Sequence, residues 1–326
     1  MRNYLSEIRE PVEAELEKFD SMFKESLDHA DGKLRQVLNY MLQRTGKRMR
    51  PILSLLIAKN FGTVCNATYR AAIGLELLHT ASLVHDDVVD EADKRRGQDS
   101  VNAFYGNSMA VLVGDYILST ALINVAKTKD TEIVDCLSRL GMTLANGEIL
   151  QLTSNGSETI SEDDYYSVIK QKTAALFEVC CAMGAMSVGA SEDEIQASRL
   201  FGQNVGMIFQ IRDDIFDYYD SEKIGKPTGN DMQEGKLTLP VIHALLTSHN
   251  DDMYKVAQRV KARQASANEI TCLMTFAKEN HGIEYAEEVM RQLHDEASCF
   301  IKNKVSNEAI KHSLTAYLDY CVERPL

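Results

Sequence analysis

Two acidic clusters with the same internal spacing are the part of this sequence best suited to do chemistry. The clusters are His85-Asp86-Asp87-Val88-Val89-Asp90 and Gln210-Ile211-Arg212-Asp213-Asp214-Ile215-Phe216-Asp217. Side chains four residues apart, such as Asp86 and Asp90 or Asp213 and Asp217, share one face of a helix at about 5–6 Å between Cβ atoms. Carboxylates this close repel one another unless a cation lies between them. Oxygen ligands of this kind suit Mg²⁺, whose coordination is usually completed by water and by substrate phosphates.

Either acidic cluster alone could be nothing more than the solvated end of a helix. Each cluster, however, closes an apolar stretch of the sequence, and the spacing of the first is repeated in the second. A chance origin is therefore the weaker explanation, and the sequence predicts a paired metal site.

Basic residues accompany these clusters along the chain, several of them beside glycine. They occur in Gly46-Lys47-Arg48-Met49-Arg50-Pro51, in Arg95-Arg96-Gly97, at Lys170 and Lys172, in Gly225-Lys226-Pro227-Thr228-Gly229-Asn230-Asp231, and in Glu234-Gly235-Lys236-Leu237-Thr238-Leu239-Pro240. A single lysine or arginine is more often a surface charge, but compact cations grouped around carboxylates fit phosphates bridged by Mg²⁺.

The charge balance narrows the class of partner. The chain has 326 residues, with 35 Lys plus Arg against 48 Asp plus Glu, which gives a formal net charge of −13. This acidic balance argues against nucleic acid or an anionic membrane surface as the main partner, because both need a basic face.

The acidic clusters must be positioned by helices. No proline occurs between Pro51 and Pro227 and tryptophan is absent, which favours helices over strands. Amphipathic and apolar patterns predict helices over Tyr4–His29, Lys33–Gln43, from just before Pro51, and over Ala67–Asp87, Met109–Lys127, Ile133–Leu152, Ser161–Gly189 and Glu192–Tyr218, with more after Pro240. Neither a linker nor a repeat interrupts this pattern. We therefore expect an all-α fold of ten or more helices in a single domain spanning 1–326.

Cysteines and the N-terminus bear on the compartment. The seven cysteines are odd in number and include no C-x-x-C pair, which predicts buried free thiols in a reduced compartment. The N-terminus lacks the apolar core of a secretory signal, and no uninterrupted apolar run reaches the about 18 residues that a membrane span needs. We expect a cytoplasmic protein without a transmembrane segment.

Taken together, these segments resemble the trans-isoprenyl (polyprenyl) diphosphate synthases. The resemblance is carried by Gly46 to Pro51, Glu76 to Asp90, Arg95-Arg96-Gly97, Lys172-Thr173, Gln210 to Asp217 and Gly225 to Pro240, in the family's order. It implies an all-α fold of the isoprenoid synthase type, a homodimer, and a cleft across which the two aspartate motifs face each other.

The resemblance also implies a role for each matching residue. Three Mg²⁺ ions would bridge an allylic diphosphate, with Asp86, Asp90 and Asp213 as ligands and Asp87, Asp214 and Asp217 supporting them through water or hydrogen bonds. The allylic diphosphate would be held by Arg95, Lys172, Thr173, Gln210, Lys226 and Lys236. Isopentenyl diphosphate would be held by Lys47, Arg50, His79 and Arg96.

Product length is the finer prediction. Ala81 and Ser82 lie one turn before Asp86. In short-chain members of the family that this sequence resembles, bulky aromatic residues at this place stop the growing chain. The small size of Ala81 and Ser82 therefore predicts an all-trans product of about six to ten isoprene units. The alternative is a floor one turn deeper at Leu77 or Leu78, or on the helix of Met142 and Leu144, and a farnesyl or geranylgeranyl product.

The sequence also leaves alternatives to this family of enzymes. A class I terpene cyclase shares the first motif, but it normally carries an Asn/Ser/Glu second motif. A non-catalytic subunit would be expected to have lost aspartates or basic groups. His85-Asp86 could belong to a metal phosphohydrolase, and Glu76-x-x-His79 could be half of a di-iron site, but no partner motif accompanies either.

Overall fold

The structure, a computed structural model, describes residues 3–28, 31–43, 46–95, 97–155, 159–219 and 228–324. These residues are almost entirely helical, and the all-α prediction is confirmed. The helices are α1 (Tyr4–Arg9), α2 (Glu13–Leu27), α3 (Gly32–Leu42), α4 (Met49–Phe61), α5 (Asn66–Val89), α6 (Val101–Tyr105), α7 (Asn107–Ala126), α8 (Thr131–Asn155), α9 (Glu162–Ile169), α10 (Ala175–Met186), α11 (Glu192–Phe216), α12 (Asn230–Gln233), α13 (Leu239–Ser248), α14 (Asp251–Lys261), α15 (Ala267–Glu279), α16 (Gly282–Lys304) and α17 (Glu308–Glu323). Of the predicted site residues, Arg96 and Lys226 lie outside the described ranges.

The chain forms two compact units. The first comprises Met1–Met142, Leu176–Gly202 and Ile301–Ala316, and the second comprises Thr143–Ala175, Gln203–Phe300 and Tyr317–Leu326. The first aspartate motif belongs to the first unit and the second motif to the second, and each is described within its own unit. The assignment of 1–326 to a single domain stays a prediction.

The first unit is organised around α5. This helix is apolar on nearly all sides and packs mainly against α7 and α4, as expected for a helix without a polar face. It begins with a capping box: the side chain of Cys65 accepts from the backbone N–H of Thr68, and the side chain of Thr68 accepts from the backbone N–H of Cys65. It ends at Val89, with Asp90 as its C-cap, so the first aspartate motif forms its last turn.

The second unit packs α13 against α15 and α14 against α15. Helix α15 begins with a capping box formed by Ser266 and Glu269, which satisfies two otherwise unpaired backbone donors. Gly282 opens α16 directly against the carbonyl of Pro240, where a Cβ would lie 2.1 Å from the oxygen. A larger residue at position 282 would push these elements apart.

Two predicted helices are interrupted, and both predictions of a continuous helix were wrong. The segment predicted as Tyr4–His29 passes through a 3-10 turn at Glu10–Val12, because Pro11 has no N–H for the helical ladder. The segment predicted as Ser161–Gly189 contains a π-helical turn at Lys170–Ala174 between α9 and α10. Such turns add one residue to a helix and occur often at functional sites.

A small hairpin follows α5 and was not predicted. Strand β1 (Lys94–Arg95) pairs antiparallel with β2 (Gln98–Asp99), with Arg95 opposite Gln98. Gly97 takes φ +74° at the turn, a conformation that favours glycine. Two-residue strands carry no alternating pattern, so their sequence gives no signal.

All seven cysteines are free, as predicted. Four of the cysteines are buried, as predicted. The prediction of buried thiols was wrong for the other three, Cys65, Cys272 and Cys299, which are exposed.

Among the described residues, one helix, α7, is long and apolar enough to cross a membrane by length and composition. It packs on α5 within the first unit, and a core helix passes the same test. The absence of a transmembrane segment stays a prediction.

Candidate functional site

The last turn of α5 presents three aspartates in different environments. Asp87 is buried, at 3% exposure, whereas Asp86 is half-buried and Asp90 is exposed. Asp87 accepts hydrogen bonds from Nε of Arg95, at 2.8 Å, and from Nη2 of the same guanidinium. Burial raises the pKa of Asp87, and the Arg95 cation opposes that rise. The motif thus separates into two accessible carboxylates and one that holds an arginine.

His85 anchors this turn to α7. Its imidazole lies against Gly114, where an added Cβ would be 2.2 Å from Nε2. The same nitrogen is 3.2 Å from the carbonyl oxygen of Val111 and 3.5 Å from a carboxylate oxygen of Asp115. These contacts give His85 a packing role and no link to the histidine array that a phosphohydrolase would need.

The basic segment before α4 brings two predicted residues together. Nη1 of Arg50 lies 3.0 Å from Nε2 of His79, and His79 accepts this hydrogen bond because a guanidinium carries only donors. The Arg50 guanidinium also lies 4.8 Å from the ring centroid of Phe177. Lys47 is exposed, and its carbonyl accepts from Arg9 at 2.9 Å.

Glu76 and His79, considered as half of a di-iron site, have other partners. Glu76 is ion-paired with Arg48 at 3.1 Å, and His79 contacts Arg50. Among the described residues, no group of three or more His, Cys, Asp or Glu side chains is gathered as a ready-made metal site. Both candidate ligands of a di-iron site therefore contact arginine side chains.

The second motif ends α11 and also divides its aspartates. The Asp213 side chain is 42% exposed, while Asp214 is 4% exposed. Asp217 accepts from the backbone N–H groups of Asn230, at 2.9 Å, and Asp231, at 3.1 Å. Asp217 therefore caps the first turn of α12, and Asp213 is the carboxylate of the three that is most open to a ligand.

A chain of hydrogen bonds runs through the buried member of the motif. Thr173 donates to Gln210 at 2.7 Å, Gln210 donates through its amide to Asp214 at 2.7 Å, and Tyr165 donates to Asp214 at 2.6 Å. Three residues predicted separately from the sequence, Thr173, Gln210 and Asp214, thus form one network. Both Asp214 oxygens have a donor, so its position is fixed.

Asp231 adds a further, half-buried carboxyl beside this network. Burial raises the pKa of Asp214 well above its ordinary value, with the Asp231 charge as the next contribution. Burial also raises the pKa of Asp231 to about 6, with Asp217 adding to the rise. Acidic groups packed this closely disfavour one another's ionised form.

Lys172 lies on the π-helical turn and makes two contacts to α8. Its ammonium is 2.6 Å from a carboxylate oxygen of Glu148 and donates to Gln151 at 3.2 Å. Gly147 lets α8 come close to this turn, since a Cβ at Gly147 would be 2.9 Å from the backbone nitrogen of Lys172. Lys172 and Lys236, with Gln210, Asp214 and Asp231, line one cavity of about 200 Å³ in the second unit.

Lys236 and Asp213 have protein counter-ions. Lys236 donates to Glu234 at 2.6 Å. Asp213 is ion-paired with Arg324, which follows α17. The Arg324 guanidinium also donates to the carbonyl of Phe209 at 3.0 Å and lies 4.0 Å from that ring's centroid.

The accessible carboxylates of the two motifs have donor chemistry that fits Mg²⁺. Asp86, Asp90 and Asp213 offer oxygen atoms alone and are the accessible carboxylates of their motifs. Mg²⁺ prefers oxygen ligands and keeps several waters or phosphate oxygens. Asp86 and Asp90 in the first unit, and Asp213 in the second, therefore each offer the kind of oxygen ligand that Mg²⁺ takes.

Sequence reasoning missed several residues that support the site. They are Arg48, Glu148, Gln151, Tyr165, Asp231 and Arg324. Asp231 and Arg48 stood inside motifs that the sequence analysis singled out. The others lie far along the chain from their partners and carry no local signal.

Comparisons with known proteins agree on one family. The family model described as polyprenyl synthetase matches residues 31–276. An octaprenyl diphosphate synthase of Haemophilus influenzae is 33% identical over 285 residues, which cover 86% of this chain and 86% of that protein. The crystal structure of a geranylgeranyl pyrophosphate synthase from Bacteroides thetaiotaomicron matches with 44% identity and a TM-score of 0.87, covering 99% of this chain and 100% of that one. That of a decaprenyl diphosphate synthase from Rhodobacter capsulatus matches with 30% identity and a TM-score of 0.91, covering 98% and 99%.

Proposed function

The chain belongs to the polyprenyl synthetase family and is a prenyltransferase, and we propose that it condenses isopentenyl diphosphate with an allylic diphosphate in an Mg²⁺-dependent reaction. The observation that carries the proposal is that each aspartate motif combines solvent-accessible carboxylates with carboxylates held by hydrogen bonds inside the protein. Asp213 is 42% exposed, although it is paired with Arg324, while Asp214 and Asp217 accept hydrogen bonds from Gln210 and from the backbone of Asn230. In the first motif, Asp87 is buried and forms an ion pair with Arg95. Such an arrangement suits carboxylates that bind a cation and neighbours that fix them.

Asp86, Asp90 and Asp213 would hold the ions, three of which the family resemblance implies. Bound Mg²⁺ would offset the charge of the departing diphosphate. Around it, Lys172, Lys236, Thr173 and Gln210 would bind the allylic diphosphate, together with Arg95 and with Lys226 outside the described ranges. The network supports this assignment for Gln210, because its amide has a second N–H beside the one given to Asp214 and is held in place. The Thr173 hydroxyl gives its proton to Gln210 and so acts by orienting that amide.

Lys47, Arg50 and His79 would bind isopentenyl diphosphate, with Arg96 outside the described ranges. The contact between Arg50 and His79 supports this grouping. In the reaction, the allylic C–O bond breaks and diphosphate leaves with the bonding pair. The double bond of isopentenyl diphosphate then forms the new C–C bond, and a proton is lost to the released diphosphate. This chemistry demands no protein base, which agrees with the packing role of His85.

The experiment is direct. Purified protein is incubated with Mg²⁺, farnesyl diphosphate and labelled isopentenyl diphosphate, and the lipid products are separated by chain length. We expect label in an all-trans polyprenyl diphosphate longer than the primer. A protein that is folded but transfers no label under these conditions contradicts the proposal.

For product length we propose a medium or long chain, about C30 to C50, because Ala81 and Ser82 are small where a bulky residue would block growth. The octaprenyl and decaprenyl synthases that the chain resembles support this length. A second candidate is a geranylgeranyl product, favoured by the 44% identity to the Bacteroides enzyme. Buried Leu77 and Leu78, one turn deeper, would then form the floor.

Ala81→Phe is expected to shorten the product by one or more isoprene units, because the aromatic ring would occupy space below the first motif. Ala81 is 2% exposed, so overpacking can cost about 1–3 kcal/mol of stability. A thermal melt and the smaller variant Ala81→Val serve as controls, and chromatography of the products gives the length. An unchanged product from a folded Ala81→Phe protein rules out this position as the one that sets length.

We further propose a homodimer formed through α7. This helix exposes four large apolar side chains, which are Val111, Leu112, Leu122 and Ile123 at 41%, 65%, 45% and 54%. They recur at helical spacing, and Asp115 is the one charged residue of α7. An apolar face of this kind on a water-exposed helix marks a protein contact.

Leu112→Asp is expected to shift the protein from dimer to monomer, because a charge would be buried in the contact. Light scattering after size exclusion gives the mass. Leu200→Asp, at a leucine of similar exposure (57% against 65%) on α11, is the matched control and should leave the mass unchanged. If Leu112→Asp and the control share the wild-type mass, α7 is not the dimer face.

A further inference from the structure

Arg48 stands between two residues assigned to isopentenyl diphosphate but its side chain is buried. It is 8% exposed, whereas Lys47 is exposed and Arg50 is half-buried. Its guanidinium donates to Glu76 at 3.1 Å and to Asp20 at 3.0 Å. It also lies 4.3 Å from the ring centroid of Phe23. One side chain therefore ties this segment to both α2 and α5.

The backbone at Arg48 is in the left-handed region, with φ 58° and ψ 27°, at the N-cap of α4. Residues with a Cβ rarely adopt this conformation. In the described chain, the other non-glycine residues with positive φ follow the end of a helix; they are Glu91, Lys129, His249, Arg263 and His281. Arg48 directly precedes α4, as His281 directly precedes α16. Uncommon backbone conformations of this kind concentrate at functional sites.

The neighbours of Arg48 are fixed from both sides. The carbonyl of Lys47 accepts from Arg9 at 2.9 Å, and Arg50 contacts His79 and the Phe177 ring. The left-handed turn lies between these two anchor points. It therefore decides the directions in which the Lys47 and Arg50 side chains leave the backbone.

We propose that Arg48 is a positioning residue for isopentenyl diphosphate: its anchored guanidinium holds the left-handed turn that places Lys47 and Arg50 for one diphosphate. This inference rests on the proposed function. Arg48 does not touch the substrate; it acts through its two neighbours. Its loss should therefore weaken binding of isopentenyl diphosphate and leave the allylic diphosphate, held by other residues, unaffected.

A merely structural role makes a different prediction. A buried ion pair contributes little net stability, and replacing both partners by apolar residues of similar volume is often neutral. The double variant Arg48→Met/Glu76→Leu therefore removes the anchor without leaving a buried unpaired charge. If Arg48 served stability alone, this variant would be normal in both stability and kinetics.

The test compares wild type, Arg48→Met/Glu76→Leu, Arg48→Lys and Arg48→Gly, with Arg139→Met as the matched control. Arg139 is an exposed arginine paired with Asp135. For each protein, KM is measured separately for isopentenyl and farnesyl diphosphate, beside kcat and the melting temperature. We expect KM for isopentenyl diphosphate to rise at least about tenfold in the double variant, with KM for farnesyl diphosphate within about twofold of wild type.

Two variants keep the proposal falsifiable if the double variant does not fold. Arg48→Gly allows the left-handed backbone but lacks the anchor, and its KM for isopentenyl diphosphate should rise as well. Arg48→Lys keeps one charge without the planar fork and should fall between Gly and wild type. A wild-type KM in folded Arg48→Gly or in the double variant overturns the proposal. Failure of the wild-type protein to transfer label would instead overturn the proposed function.

Discussion

Replacing Asp86 with asparagine is expected to lower turnover by about a thousandfold or more while the protein stays folded. Asp86 is half-buried at the last turn of α5 and shares a face with exposed Asp90. Asparagine keeps the shape but removes the charge, so a cation bound there would lose an anionic ligand. The rate is measured as transfer of labelled isopentenyl units under saturating Mg²⁺.

The control for this variant is Asp135→Asn, which removes an exposed carboxylate on α8 that pairs with Arg139. It should be indistinguishable from wild type. The metal-free Asp86→Asn protein should melt at or slightly above the wild-type temperature, because one of several neighbouring like charges is gone. Turnover within tenfold of wild type would contradict the role of Asp86 as a metal ligand.

Replacing Arg50 with glutamine is expected to raise KM for isopentenyl diphosphate by about a hundredfold, since a charge-assisted hydrogen bond to a phosphate is worth about 2–3 kcal/mol. The KM for the allylic substrate should change little. Arg50 contacts His79 and packs over Phe177, so a thermal melt must accompany the kinetics.

Arg50→Lys refines this second prediction. Lysine keeps the charge but lacks the planar fork that binds two phosphate oxygens, so its KM should lie between those of wild type and Arg50→Gln. Arg139→Gln is the exposed control. If Arg50→Gln lowers kcat and leaves KM for isopentenyl diphosphate unchanged, Arg50 does not bind that substrate.

Much of the architecture could be predicted because helices impose a period on the sequence. The segment predicted as Ala67–Asp87 is observed as Asn66–Val89, and the one predicted as Glu192–Tyr218 as Glu192–Phe216. The spacing of Asp86 and Asp90 then placed two carboxylates on one face without any tertiary information. The π-helical turn was missed; it lies where Gly147 of α8 comes close to the backbone of Lys172, a contact between residues distant in sequence.

The support of the site could not be predicted, because it depends on contacts between distant residues. Tyr165 reaches Asp214 across 49 positions, and Arg324 reaches Asp213 across 111. Arg48 illustrates the same limit at short range: the sequence places three cations within four residues but does not tell which of them turns inward. That distinction is made by Glu76 and Asp20 on other helices.

The pairing of Asp213 with Arg324 changes how the arrival of a metal ion at the second motif should be described. The carboxylate already has a counter-ion, supplied by the protein itself. A divalent ion that took Asp213 as a ligand would displace that guanidinium, so binding would be an exchange of cations and not a simple addition. Because the displaced Arg324 would remain nearby as a cation for the incoming diphosphate, the local charge would still rise by the two units that the ion brings.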